Sequence, residues 1–148
     1  MSSLRKYQVA ALAIFSLVFL LVPLSSAQQR LSDRDVESTM KNLKEDSKRF
    51  QSSFNSAISK STIRKTSQEK DAKALVKTFQ SQTETMLHVF QDKKKADATL
   101  PGALGTAKQI DGVLSSVSLG GTTVSDWAKC KAELNILANE FNMPPLTN

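Results

Sequence analysis

Histidine and cysteine, the residue types that most often ligate metals or act as bases and nucleophiles, each occur once, as His88 and Cys130. On a helix, His88 lies about 200° around the axis from Met86 and from Phe90, which mark the apolar stripe of that segment. A haem ligand has to face the interior, and a buried metal site needs several ligands. The pattern therefore predicts a solvent-exposed His88 near Glu84, with metal ligation as the alternative.

The spacing around His88 does not match known metal motifs. Glu84 and His88 are four residues apart, whereas di-iron bundles use Glu-x-x-His on facing helices. The Cys-x-x-Cys-His attachment of c-type haem is absent from the sequence. We therefore expect no cofactor. A haem- or metal-binding periplasmic four-helix bundle that uses Met40, Met86 or His88 is the alternative function.

Cys130 falls on an apolar stripe between Trp127 and Leu134. Its neighbours Lys129 and Lys131 would each point about 100° away on a helix and give the thiol little activation. A cysteine on such a stripe usually packs as a small hydrophobe, and an intermolecular disulfide is the alternative. With no recognisable triad, phosphate loop or metal motif in the sequence, we expect a protein that is not an enzyme.

Two basic clusters are candidates for partner binding. They could bind an anionic surface such as lipid head groups or an acidic polymer. The alternative is that these charges only keep the protein soluble and stabilise the ends of helices. The candidate residues are Lys60, Arg64, Lys65, Lys93, Lys94 and Lys95.

The N-terminus is typical of a secretory signal peptide. Basic residues Arg5 and Lys6 precede an apolar run over 9–22, and small residues follow Pro23. The run is shorter than the roughly 20 residues that span a bilayer. We predict cleavage after Ala27 and a secreted or periplasmic product without a transmembrane helix.

The predicted mature chain, 28–148, is long enough for one domain. Loss of Arg5 and Lys6 lowers its formal net charge from +6 to +4. This mild, interleaved charge does not indicate specific nucleic-acid binding. The oligomeric state is left open.

Apolar residues recur every three or four positions in four segments. Short links favour an all-α, antiparallel up-down-up-down four-helix bundle with two longer and two shorter helices. The predicted helices cover about 33–59, 67–94, 101–118 and 124–142. The residues expected in the core are Phe50, Phe54, Phe79, Phe90, Trp127, Cys130, Leu134 and Phe141. For Trp127, stacking on a ligand is the alternative.

Helix starts are predicted from capping residues. Ser32 with Asp35, Thr66 with Glu69 and Thr123 with Asp126 have the capping-box spacing. Gly120-Gly121 is expected to stop the third helix, and Pro144-Pro145 the fourth.

The opening and closing helices resemble those of a group of small secreted bacterial proteins of unknown function. The similar segments are Leu31-Ser-Asp-Arg-Asp-Val36, Asp46-x-x-x-Phe50-x-x-Ser53 and the run from Asp126 to Phe141. The group has Leu where this chain has Cys130, which implies a packing role. It often carries Asn-Gly-Thr in the first link, which here reads Ile63-Arg-Lys-Thr66. The resemblance implies no activity, cofactor or partner.

These observations lead to one functional hypothesis. We expect an exported, non-enzymatic helical protein that binds an envelope protein or an anionic surface through helix faces or through the basic link after the first helix.

Overall fold

The computed structural model describes residues 30–147, in which all regular structure is helical and no strand occurs. The predicted signal peptide and its cleavage point after Ala27 lie outside these residues. The four helices are α1 (Asp33–Ile58), α2 (Ser67–Lys93), α3 (Leu100–Ser116) and α4 (Gly121–Glu140). Within residues 30–147, no helix is both long and apolar enough to cross a membrane.

Two helices begin at the expected caps. The Ser32 hydroxyl accepts a hydrogen bond from the Asp35 amide (3.2 Å) and donates to the Asp35 carboxylate (2.6 Å). The Thr66 hydroxyl accepts from the Glu69 amide (3.3 Å). Asp35 thus reaches the Ser32 hydroxyl rather than the Ser32 amide, since its side chain is one methylene shorter than the usual Glu. Both α1 and α2 therefore start where local sequence places a cap.

The start of α4 was predicted wrongly. Thr123 does not cap the helix; it lies in the first turn, and its side chain is buried. Gly120 is the N-cap, because its extended backbone (ψ 156°) directs its carbonyl to accept from the Thr123 and Val124 amides. Asp126 instead forms an ion pair with Lys129 (3.8 Å).

Two helix ends also differ from expectation. The third helix stops at Ser116, before Gly120-Gly121, because Val117 is extended. The fourth stops at Glu140, before the prolines. There Asn142 adopts a left-handed backbone (φ 53°), and the Met143 amide donates to the Ala138 carbonyl (2.7 Å). A left-handed residue that closes the last turn is a common way to end a helix.

The four helices share one buried apolar core. Within it, the Trp127 ring lies 4.8 Å from the Phe50 ring and 5.3 Å from the Phe79 ring, measured between centroids. The Trp127 indole N–H donates to Asp111 Oδ1 (2.7 Å). Buried tryptophans usually pair this N–H in the same way.

One polar pair interrupts the apolar seam between α1 and α2. Ser47, which occupies a position where the stripe predicts an apolar residue, is fully buried. Its hydroxyl lies 2.9 Å from the buried Thr83 hydroxyl, and each lies 2.7 Å from a backbone carbonyl of its own helix. One hydroxyl can donate to the other while the second donates to its carbonyl. Because both hydroxyls are paired, burying them carries little penalty.

Candidate functional site

The link between α1 and α2 is ordered by its own hydrogen bonds. The Ser61 amide donates to the Ile58 carbonyl (3.1 Å), the Arg64 amide to the Ser61 carbonyl (3.2 Å), and the Thr66 amide to the Ile63 carbonyl (3.2 Å). Ile58 is fully buried and Ile63 packs partly against the core. The backbone of this link is therefore held on both sides by apolar anchors.

Three of the predicted partner-binding residues lie on this link. We call Lys60, Arg64 and Lys65 the basic tip; all three side chains are exposed. Among the described residues, none of the three forms an ion pair with a carboxylate. The basic tip is thus a set of three exposed cations on one link that the described fold leaves unpaired.

The acid nearest to the basic tip in sequence is already occupied. The Glu69 carboxylate accepts from the Lys65 backbone amide, from the Ser59 hydroxyl (3.0 Å) and from Lys73 Nζ (2.6 Å). These contacts, led by the Lys73 hydrogen bond, lower the pKa of Glu69 to about 2. Glu69 therefore stays ionised and holds the backbone of the link, while its charge is balanced by Lys73.

The second basic cluster, Lys93–Lys95, is less free. Lys94 Nζ lies 3.4 Å from a Glu37 carboxylate oxygen and 5.3 Å from the centroid of the Phe90 ring. Lys94 is also the left-handed C-cap of α2 (φ 53°), and its amide donates to the Phe90 carbonyl (2.8 Å). The structure therefore separates the predicted residues into two groups at opposite ends of α2, one unpaired and one partly engaged in the fold.

A groove opens beside the basic tip, between the start of α2 and the end of α3. Its volume is about 550 Å³. The apolar part of its lining consists of Ile63, Ala72, Leu75, Val113 and Val117. Sequence reasoning missed this groove. The one signal that could have found it is Ile63, an apolar residue within an otherwise polar and basic link.

His88 is exposed and lies in a shallow depression with Lys44, Glu84 and Gln91. Glu84 contacts Lys48 Nζ (3.6 Å) rather than the imidazole. Within residues 30–147, no three His, Cys, Asp or Glu side chains are grouped closely enough to hold a metal ion.

The two methionines of the alternative metal site are both fully buried in the core, so the structure does not bring Met40 or Met86 together with the exposed His88.

Cys130 is fully buried and free of any disulfide. Burial raises the pKa of its thiol far above the usual range, and the charges of Asp46, Glu133 and Asp126 raise it further. The thiol is therefore protonated at neutral pH, and its burial keeps it from an oxidant or a second chain. The other predicted core residues, Phe50, Phe54, Phe79, Phe90, Trp127 and Leu134, are buried, and Phe141 is half-buried.

Glu133 is a titratable group that sequence reasoning missed. Its Oε2 atom is buried without a hydrogen-bond partner. Burial, together with the charge of Asp46, raises the pKa of Glu133 to about 7. Asp46 is committed to Arg49 (3.3 Å) and gives Glu133 no partner. Asp46 of α1 and Glu133 of α4 lie beside the contact between these two helices. The apolar stripes in the sequence do not show which of the acids next to them becomes buried.

Comparison of the chain with protein-family models, with curated proteins and with solved structures finds no match. The basic tip and the adjoining groove are therefore interpreted from their own geometry and charge.

Proposed function

We propose that this chain is an exported, non-enzymatic protein that binds an anionic surface through the basic tip. The observation that carries the proposal is the concentration of Lys60, Arg64 and Lys65 on one ordered, exposed link without an ion pair among the described residues. Cations placed in this way attract anionic lipid head groups or acidic polymers. An acidic envelope protein is the other partner that the same charges would suit.

The proposal includes the arrangement that presents the tip, an up-down-up-down four-helix bundle. Contacts between α1 and α2 support it. Glu37 near the start of α1 meets Gln91 near the end of α2, and Ser59 just after α1 meets Glu69 at the start of α2. These pairs are what two antiparallel helices require.

The remaining helix pairs support the same arrangement. Helix α1 packs on α2 and α4, and α3 packs on α2 and α4. Within residues 30–147 the backbones of the diagonal pairs do not approach closely, although Trp127 of α4 reaches the Phe79 ring of α2 across the core. The Leu31 amide, before α1, donates to Glu140 at the end of α4 (2.8 Å), and Phe50 meets Trp127 in the first turns of α4. In a bundle of this kind, the α1–α2 link and the α3–α4 link lie at the same end. The basic tip would then project from that end of the bundle.

Export rests on the N-terminal sequence, where Arg5 and Lys6 precede an apolar run and small residues follow Pro23. The resemblance to small secreted bacterial proteins agrees with it. Released outside the cytoplasm, the chain would meet membrane surfaces and envelope polymers that carry negative charge.

Co-sedimentation with vesicles tests the proposal. Vesicles of phosphatidylglycerol and phosphatidylcholine are compared with phosphatidylcholine alone. The tip variant carries Lys60→Gln and Lys65→Gln, and the matched control carries Lys93→Gln and Lys95→Gln. Both variants lose two charges, so a difference between them reports position rather than net charge. Lysines near an anionic surface contribute about 1 kcal/mol each, so the tip variant should bind about 30-fold more weakly.

The affinity of the control variant for the mixed vesicles should fall by no more than about threefold. In the proposed orientation its lysines lie far from the vesicle surface, and salt screens their attraction to it. Equal losses in the two variants, or binding to phosphatidylcholine as strong as to the mixed vesicles, would overturn the proposal.

A further inference from the structure

The groove and the basic tip adjoin at Ile63. Ile63 lines the groove and is followed directly in sequence by Arg64 and Lys65 of the tip. The opposite wall is formed by Val113 of α3. An apolar recess therefore opens beside unpaired positive charge, an arrangement that matches a molecule with an anionic group at one end and an apolar body.

The groove presents apolar surface that the described fold does not cover. Ala72 and Val117 are nearly buried and form its floor, while Ile63, Leu75 and Val113 remain partly exposed along its walls. The molecule fills a comparable depression elsewhere with its own chain.

The filled depression lies between α3 and α4. There Leu146 is buried, and the Asn135 side chain binds its backbone on both sides, accepting from the Leu146 amide (2.7 Å) and donating to its carbonyl (3.3 Å). Within residues 30–147, no segment plays this part in the groove between α2 and α3.

Charge within the groove fixes the orientation of an occupant. Among the described residues, Asp71 is the only charged side chain that lines it, and the other polar lining residues are the uncharged Gln68, Gln109 and Ser116. An anionic group placed inside would be repelled by Asp71, whereas one placed outside the groove would meet the basic tip. The apolar part of the occupant therefore lies inside and its anionic head lies at the tip.

We propose that the groove binds the acyl chain of a single-chain anionic lipid, whose head group is held by the basic tip. This inference rests on the proposed function, which it deepens by naming the ligand class. A volume of about 550 Å³ lies within the range of small-molecule pockets.

Isothermal titration of the purified protein with lysophosphatidylglycerols of 8, 10 and 12 carbons, each below its critical micelle concentration, tests the inference. If the chain enters the groove, affinity should rise about fourfold per added methylene, which corresponds to about 0.8 kcal/mol. Lysophosphatidylcholine of the same chain length should bind about tenfold more weakly, because its head group lacks net negative charge.

Two variants locate the binding. Val113→Asp places a charge on the groove wall, and Ser116→Trp fills the groove from an exposed position that the core does not need. Each should weaken lysophosphatidylglycerol binding at least tenfold. Val124→Asp, on an exposed position of α4 outside this groove, is the matched control and should leave the affinity unchanged.

The outcomes separate the two proposals. Affinity that does not change with chain length, or that survives both groove variants, overturns the groove proposal while vesicle binding through the tip stands. An acidic amphipathic peptide that binds in the groove when the lysolipids do not would also overturn it. Loss of the distinction between tip and control variants on vesicles contradicts the proposed function itself.

Discussion

The two ends of α2 use charge in different ways. At its C-terminal end, Glu37 receives a hydrogen bond from Gln91 (3.0 Å) and ion pairs from Lys41 (2.9 Å) and Lys94 (3.4 Å). At its N-terminal end, Glu69 gathers Ser59 and Lys73 in a similar network. At the C-terminal end the network takes in Lys94, the middle residue of its basic cluster, while Lys93 and Lys95 form no ion pair among the described residues. At the N-terminal end all three side chains of the basic tip lie outside the network. We call the two regions the closed end and the tip end.

The interiors of the two ends are alike. At the closed end the Phe90 and Phe141 rings meet edge to face with centroids 6.4 Å apart, and toward the tip end Trp127 packs on Phe50 and Phe79. Aromatic pairs of this geometry stabilise a core beyond their buried area. Both ends are thus packed and networked, and under our proposal the unpaired charge of the tip end serves binding.

The largest expected effect tests whether the tip end is as firmly packed as its interior indicates. Trp127→Ala removes the ring between Phe50 and Phe79 and leaves Asp111 without the indole N–H. The free energy of unfolding should fall by about 3–5 kcal/mol. Denaturant unfolding measures it, with Val124→Ala, at a 52% exposed site on the same helix, as the control. A fall no larger than that of the control would mean that the tip end has no real core.

Caps should contribute equally at the two ends. Ser32→Ala at the closed end and Thr66→Ala at the tip end each remove a side-chain acceptor from a first-turn amide. Each should reduce the free energy of unfolding by about 1 kcal/mol. Ser52→Ala, at an exposed position within α1, is the matched control. A loss at one end only would show that the other helix start is held by something besides its cap.

Glu133 lies outside both networks. Its contribution to stability should depend on pH in the opposite sense to the contributions of Glu37 and Glu69. Burial and the charge of Asp46 raise the pKa of Glu133 in the folded protein to about 7 from its ordinary value of 4.5. The folded state therefore binds more protons between these values, and stability increases as pH falls from about 7 toward 4.5.

Glu133→Gln should raise the free energy of unfolding by roughly 1 kcal/mol at pH 8 and leave it nearly unchanged at pH 4.5, since the neutral amide resembles the protonated acid. Thermal melts at the two pH values measure the difference. Equal effects at both would mean that Glu133 is solvated in the folded protein.

The smallest effects are expected from the two networks. Their central acids, Glu37 and Glu69, both have pKa values lowered to about 2, Glu37 chiefly by its hydrogen bond from Gln91. A lowered folded pKa stabilises the protein above the unfolded value, and this contribution is lost as pH falls from about 4.5 to 2. Glu37→Gln and Glu69→Gln should each flatten acid unfolding in that window, slightly and by similar amounts. If only one variant flattened the acid unfolding curve, the two networks would not contribute equally to stability.

Periodic apolar spacing was sufficient to predict the helices, because a stripe such as Met40, Leu43, Phe50 and Phe54 can be buried only on one face of a helix. Capping residues predicted the starts of α1 and α2, because a cap and the amide that it accepts from are only three residues apart in sequence.

Features that join distant residues could not be predicted in this way. The pairing of Ser47 with Thr83, the docking of Leu146 on Asn135 and the covering of Glu133 each depend on which helix faces which. The error at the start of α4 has a different cause, because Gly120 caps through its backbone conformation while Thr123 and Asp126 carry the residue types of a capping box. The basic tip was visible as residue types, but its freedom from ion pairs was not.

Hydrogen–deuterium exchange of the protein with and without phosphatidylglycerol vesicles tests the central claim most directly, since it reads both ends of α2 in one sample. Binding through the tip predicts slower exchange of the exposed amides in the link 59–66 and unchanged exchange in the link 94–99. Protection of 94–99 alone, or equal protection of the two links, would contradict the account.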